Sequence, residues 1–125
     1  MTRLDWHILL VEDELDSVQV VSTILTFHGI DVTVARDGLE CLDALDTFTP
    51  TAIIMDLSMP NLDGWATLAQ IRDDATISDL PVIAITAYHS ANVAQDAMTA
   101  GFDAYFPKPV DAGSFVDKLQ GIIAG

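Results

Sequence analysis

Five times along this chain a short apolar run gives way to a segment whose apolar residues recur at helical spacing, and this alternation limits the fold more than any other feature. The runs are HILLV (His7–Val11), VTVA (Val32–Ala35), AIIM (Ala52–Met55), Leu80 to Ile85 and Ala104 to Phe106. The helical segments are Glu14 to His28, Gly38 to Phe48, Asp63 to Asp74, Ala91 to Ala100 and Asp111 to Ile123. Gly29 stands where the first helix needs a left-handed stop. Strands that are apolar nearly throughout are covered on both faces, which points to a parallel sheet. Right-handed crossovers then give a doubly wound α/β domain with helices on both faces. No linker, internal repeat or second domain is visible, so residues 1–125 read as a single domain.

Composition narrows the function. Of 125 residues half are hydrophobic, enough for one real core. The net charge is −14, and the only basic residues are Arg3, Arg36, Arg72, Lys108 and Lys118. A nucleic-acid-binding face needs clustered cations, so no nucleic acid is expected, and no anionic membrane either. No apolar run is long enough to span a bilayer. The N-terminus lacks the pattern of a secretory leader, and a cytoplasmic location is expected. The single cysteine, Cys41, reads as a buried apolar residue. Most of the acidity reads as solvated helix faces, so any site for an anion has to rest on a few placed cations.

In doubly wound sheets ligands bind beyond the carboxyl ends of the strands. Glu12 and Asp13 follow the first strand, Asp56 the third, Thr86 and Ala87 the fourth, and Lys108 and Pro109 the fifth. The second strand offers only Arg36 and Asp37. If the other four are neighbours, three carboxylates, a hydroxyl and an ammonium converge. Two carboxylates ~5 Å apart repel by on the order of 3 kcal/mol at an effective dielectric of about 20. Either one takes up a proton or a cation sits among them. An all-oxygen set with room for water suits Mg²⁺. His7, His28, His89 and Cys41 are too scattered to make a zinc site. An aspartate beside a cation and a lysine is also a possible nucleophile towards phosphorus. Thr86 could donate to a phosphoryl oxygen, and Ala87 leaves space beside it.

These residues together resemble the receiver domain of response regulators in two-component signalling, a flavodoxin-like fold. The resemblance covers essentially the whole chain. It rests on Glu12-Asp13, Asp56 followed by Met59-Pro60 and Asp63-Gly64, Thr86-Ala87, Ala100-Gly101 and Lys108-Pro109. Asp13 lies 43 residues before Asp56, Thr86 30 residues after it, and Lys108 22 residues further on. The resemblance, not the periodicity, implies the strand order 2-1-3-4-5. It implies that Asp56 is the phosphoacceptor, and that Mg²⁺ is held by Asp13, Asp56 and the Ser58 backbone carbonyl, with Glu12 acting through water. It implies that Lys108 pairs with the carboxylate and then the phosphoryl group, that Lys108–Pro109 is cis, and that Thr86 and Tyr105 form the switch. Pro107 departs from the commoner aliphatic residue before the lysine, but proline is tolerated at the end of an edge strand.

The resemblance further implies a histidine kinase or histidine phosphotransfer domain as donor. The first helix would face that donor, with Leu15 and Val18 as an apolar contact and Val20, Val21, Ile24 and Leu25 supplying core. Ser58 and Tyr88 occupy positions that tune acyl-phosphate lifetime in the family; Tyr88 either covers the site or points into solvent. Output is expected to be protein–protein, through the surface of helix 4, strand 5 and helix 5, to a target the sequence does not name. A monomer or weak dimer is expected.

Two other classes compete. A phosphatase with an aspartyl nucleophile would want a second aspartate two residues on, where this chain has Ser58. A flavodoxin-like nucleotide binder would want a phosphate loop after the first strand, where Glu12-Asp13-Glu14 would repel phosphate. A signalling phosphoacceptor, rather than an enzyme, fits best.

Overall fold

The structure is a computed structural model and describes residues 5–124; the expected limits of the domain, residues 1 and 125, lie outside them. The strands are β1 (His7–Val11), β2 (Asp31–Ala35), β3 (Ala52–Asp56), β4 (Val82–Thr86) and β5 (Ala104–Pro107). The helices are α1 (Leu15–Phe27), α2 (Gly38–Leu45), α3 (Gly64–Asp73), α4 (Ala91–Ala100) and α5 (Phe115–Ala124). The strands form one parallel sheet in the order β2-β1-β3-β4-β5. Leu10 lies opposite both Val34 and Ile54, Asp56 opposite Ile85, and Thr86 opposite Pro107.

Alternation along each strand divides the core in two. Ile8, Leu10, Ile54, Ile83 and Ile85 pack against α1 and α5 through Val21, Leu25, Phe115 and Leu119. Leu9, Val11, Ile53, Met55 and Ala84 pack against α2, α3 and α4 through Cys41, Leu68, Ile71 and Ala97. The central strands β3 and β4 are buried throughout, because both their faces carry helices. Cys41 is fully buried, which pushes its thiol pKa up to about 12.

The element ends follow local chemistry. Gly29 has φ 77°, and it closes α1 with a pair of bonds, Gly29 N to the Thr26 carbonyl (2.9 Å) and Ile30 N to the Leu25 carbonyl (3.1 Å). Asp37, Asp63 and Ser90 cap α2, α3 and α4, each accepting from a backbone N–H three residues on. Four expectations need correction. Helix α2 ends at Leu45, because Thr47 N and Phe48 N both turn back to the Ala44 carbonyl and the Phe48 ring stacks on His7, centroids 4.5 Å apart. Strand β4 begins after Pro81, which has no N–H to give to a ladder. Helix α5 begins at Phe115: residues 111–114 form a turn closed by Ser114 Oγ on Asp111 Oδ2 (2.6 Å), with Gly113 a poor helix former inside it. Val20 is 46% exposed and not core, whereas Val18 packs against the α1–α5 layer.

Arg72 ties the far side together. Its guanidinium donates to the carbonyls of Ser78 (2.9 Å), Leu80 (2.7 Å) and Gly101 (2.8 Å) and pairs with Asp103 (3.0 Å). One planar donor fork thereby joins α3, the approach to β4 and the end of α4. Among the described residues no helix is long and apolar enough to cross a membrane.

Candidate functional site

The chain reverses its winding between β1 and β3, so the carboxyl ends of these two strands open a crevice. Glu12 follows β1 directly, and Asp56 is the last residue of β3. Both are buried, Glu12 completely and Asp56 to 6% exposure. Asp13 is exposed beside them, and the three residues bring carboxylate oxygens within 4.8 Å of one another. Lys108 reaches in from the end of β5. Its ammonium donates to Asp56 Oδ2 (3.2 Å) and forms an ion pair with Glu12 Oε1. The Lys108–Pro109 peptide is cis, and Lys108 N donates to the Thr86 carbonyl (2.9 Å), which locks the lysine to β4.

One ammonium does not offset two buried carboxylates and a third at the rim. Burial, and then the hydrogen bond with Asp56, push Glu12 up to a pKa of about 7, against the pull of Lys108. Burial also works against the charge of Lys108, but the hydrogen bond to Glu12 and the charges of Asp56 and Glu12 outweigh it and hold the lysine pKa above its ordinary value. Positive charge is therefore in short supply. A hard cation with oxygen ligands would relieve the shortage, and the exposed side of Asp13 leaves such an ion room for water.

The loop from β3 to α3 is built around Asp56. Ser58 N donates to Asp56 Oδ1 (3.2 Å), and Gly64 N donates to the Leu57 carbonyl (3.1 Å). A Cβ on Gly64 would lie 2.5 Å from the Asp56 carbonyl oxygen, so only glycine lets α3 start this close to the strand end. Nothing local in Asp63-Gly64 signals this contact, because the atoms that crowd Gly64 belong to the end of β3. The end of β2 also has a role, one the sequence did not disclose. Asp37 is buried, and its Oδ2 accepts from Asn61 Nδ2 at 2.6 Å. The Glu40 N–H and then the Asn61 amide hold the Asp37 carboxyl below its usual pKa. Gly38 N donates to the Leu62 carbonyl (3.1 Å), and a Cβ there would lie 1.9 Å from Thr67 Oγ1. The only sequence signal for this seam is an Asp-Gly after one strand and an Asn two residues before the second Asp-Gly.

The opposite rim is looser. Thr86 is buried, and its Oγ1 accepts from Tyr88 N (3.0 Å). Ala87, Tyr88, His89 and Ser90 are all exposed. Tyr88 is 73% exposed, yet it helps to line a cavity of about 340 Å³ with Ser58, Met59, Trp65 and Thr86. Tyr105 is half-buried on the α4 side of the sheet; its hydroxyl lies 2.7 Å from His89 Nδ1, and the two rings stack. A second cavity of about 340 Å³ lies between α1 and the segment after β5, lined by Ser17, Val20, Ala87, Lys108 and Pro109 among others. Leu15, the first residue of α1, is 65% exposed, whereas Val18 is turned towards the core. Glu12, Asp13, Asp56, Thr86 and Lys108 thus share one crevice, with Ser58 and Ala87 on its rims. Tyr105, Tyr88, Leu15 and Val18 lie outside the carboxylate cluster.

The family model for the response regulator receiver domain matches residues 8–120. The response regulator MprA of Mycobacterium sp. strain KMS is 33% identical over 117 residues, covering 94% of this chain and 50% of that protein. The chain thus spans about half the length of the curated relatives it matches. Among solved structures, the receiver domain of the sensor histidine kinase PA1611 from Pseudomonas aeruginosa, with magnesium coordinated in its active-site cleft, is 30% identical with a TM-score of 0.88, over 96% of this chain and 98% of that one. The chemotaxis response regulator CheY4 of Vibrio cholerae is 26% identical with a TM-score of 0.85, over 94% and 98%. With this sheet order, this acidic crevice and a family match over nearly its whole length, the chain belongs to the response regulator receiver domain family of two-component signalling.

Proposed function

We propose that this domain takes a phosphoryl group onto Asp56 from the phosphohistidine of a kinase or phosphotransfer domain. A carboxylate oxygen of Asp56 attacks phosphorus while the bond from phosphorus to the donor nitrogen breaks, leaving an aspartyl phosphate. Attack of water on that phosphorus later returns the carboxylate and inorganic phosphate. The observation that carries this reading is the Lys108 ammonium held between buried Glu12 and Asp56, with Asp13 beside them. Asp13, Asp56 and the Ser58 carbonyl would hold Mg²⁺ directly, and Glu12 through water; the magnesium in the cleft of the PA1611 receiver domain supports that assignment. Bound there, the ion supplies charge neutralisation for the transferring group.

The remaining steps belong to the chain. Lys108 moves from the carboxylate to a phosphoryl oxygen. Thr86 accepts from Tyr88 N, so its own proton is free to donate to another. Drawing Thr86 towards Asp56 would favour an inward Tyr105 and alter the α4–β5–α5 surface, a population shift read by a protein target. The exposed Leu15 at the start of α1 suits apolar contact with the donor, to which Val18, partly buried against the core, would add its uncovered edge. Tyr88 and Ser58 flank the approach of water and would set the lifetime.

The test is the intact mass of the protein after incubation with acetyl phosphate, with and without Mg²⁺, beside Asp56→Asn. One Mg²⁺-dependent phosphoryl adduct that is lost in the variant is the expected result. An adduct of equal yield in Asp56→Asn would refute the assignment.

A further inference from the structure

The β2–α2 turn carries none of the charges of the crevice, yet it grips the loop that does. Asn61 sits in the left-handed region at φ 66°, a conformation that besides glycine suits chiefly asparagine and aspartate, whose short polar side chains can be held by hydrogen bonds. Its side-chain amide donates to buried Asp37 at 2.6 Å, a short, charge-assisted bond. One residue on, Leu62 accepts from Gly38 N through its backbone carbonyl (3.1 Å), and Leu62 N turns back to the Pro60 carbonyl (2.7 Å). Gly38 is pressed against Leu62 and Thr67 so closely that no side chain fits between them. The crown of the β3–α3 loop is therefore fastened to the turn between β2 and α2, while its root is fastened to Asp56 by Ser58 N. The Ser58 carbonyl lies between the two fastenings.

We infer that Asp37, through Asn61, is a positioning residue for the metal centre: it fixes the loop so that the Ser58 carbonyl is already placed when a divalent cation arrives. Partners one shell out from a metal's ligands set its affinity by limiting how the ligands can move. The inference rests on the proposed function, since it assumes that Mg²⁺ is bound at Asp13, Asp56 and Ser58. Asp37 also caps α2 by accepting from Glu40 N (2.8 Å), so a loss of helix stability has to be separated from a loss of loop order.

Two variants separate them. Asn61→Gly keeps the left-handed backbone and the α2 cap but removes the tie. Asp37→Ser keeps a cap but is too short to reach Asn61. Mg²⁺ binding is measured by titration calorimetry and the thermal midpoint by calorimetric scanning without Mg²⁺. The expected result is a Kd for Mg²⁺ about five- to tenfold weaker in both variants, at or below the low end for such outer partners, with the midpoint of Asn61→Gly close to that of the parent. A Kd for Asn61→Gly within twofold of the parent would overturn the inference while leaving the metal site intact. A parent that takes up no Mg²⁺ would overturn the inference together with the reading on which it rests.

Discussion

The two loops that flank Asp56 are built in opposite ways. The β3–α3 loop is tied at its root by Ser58 N and Gly64 N and at its crown by Asp37 and Gly38. The β4–α4 loop is exposed from Ala87 to Ser90, and its tethers are Tyr88 N on the Thr86 hydroxyl, the His89–Tyr105 contact and the Ser90 cap of α4. On the proposed function the difference has a purpose. A metal ligand must be in place before the ion arrives, whereas a switch has to move when the phosphoryl group does, and mobile elements are drawn from the less stable parts of a fold. The same small sheet therefore offers a stiff wall and a compliant wall on either side of one carboxylate.

The largest expected effect comes from breaking the stiff wall. Gly64→Ala puts a methyl group 2.5 Å from the Asp56 carbonyl oxygen and 2.9 Å from Leu57 Cα, backbone that cannot swing away. Urea unfolding should show a loss of about 2–3 kcal/mol, the upper part of the overpacking range. A variant as stable as the parent would mean that the wall yields to an added methyl group.

Between the walls lies the buried pair, and pH sharpens the contrast there. The folded pKa of Glu12 is raised to about 7 from an ordinary 4.5, so the stability that this group contributes is fully present below about 4.5 and is lost as pH rises through about 7. In Mg²⁺-free buffer the unfolding free energy of the parent, measured relative to Glu12→Gln, should fall between pH 5 and pH 8. Saturating Mg²⁺ should flatten that fall, because the ion favours the charged carboxylates. A difference that rises with pH in metal-free buffer would contradict the burial argument.

The compliant wall should yield smaller changes. His89→Ala removes one surface hydrogen bond and a stacked ring, and should cost at most about 1 kcal/mol in unfolding free energy. Its clearer signature is increased rotamer averaging of the Tyr105 ring by NMR, and an unchanged rotamer distribution would show that His89 does not hold the ring. Smallest is Tyr88→Ala. With the residue 73% exposed, loss of its ring should speed aspartyl-phosphate hydrolysis by only about two- to threefold, or about half a kcal/mol of barrier. Equal decay rates would place Tyr88 outside the path of water.

Much was legible in the sequence because it rests on periodicity and on residue type. Apolar runs of strand length between helical repeats can be satisfied by few folds, and their alternation named the strands and helices to within a few residues. The acidic, hydroxyl and basic residues at strand ends were visible for the same reason: side chains placed just past a buried run stand out from it. Element ends were less legible where a distant partner decided them. Phe48 left α2 for the His7 ring, and Val20 stayed outside because the helix turned Val18, Val21, Ile24 and Leu25 inwards instead.

By itself the sequence determined the alternating α/β plan, the apolar strand interiors and the set of charged groups available to a site. Tertiary structure decided that Lys108 stands between Glu12 and Asp56, that Gly38 and Gly64 are demanded by contacts with residues far or near in sequence, and that Asp37 holds Asn61 across 24 residues. The physical reason is range. Propensity and periodicity act over one or two turns of chain, whereas the field at a carboxylate and the room beside a glycine depend on whichever segments the sheet order brings next to them.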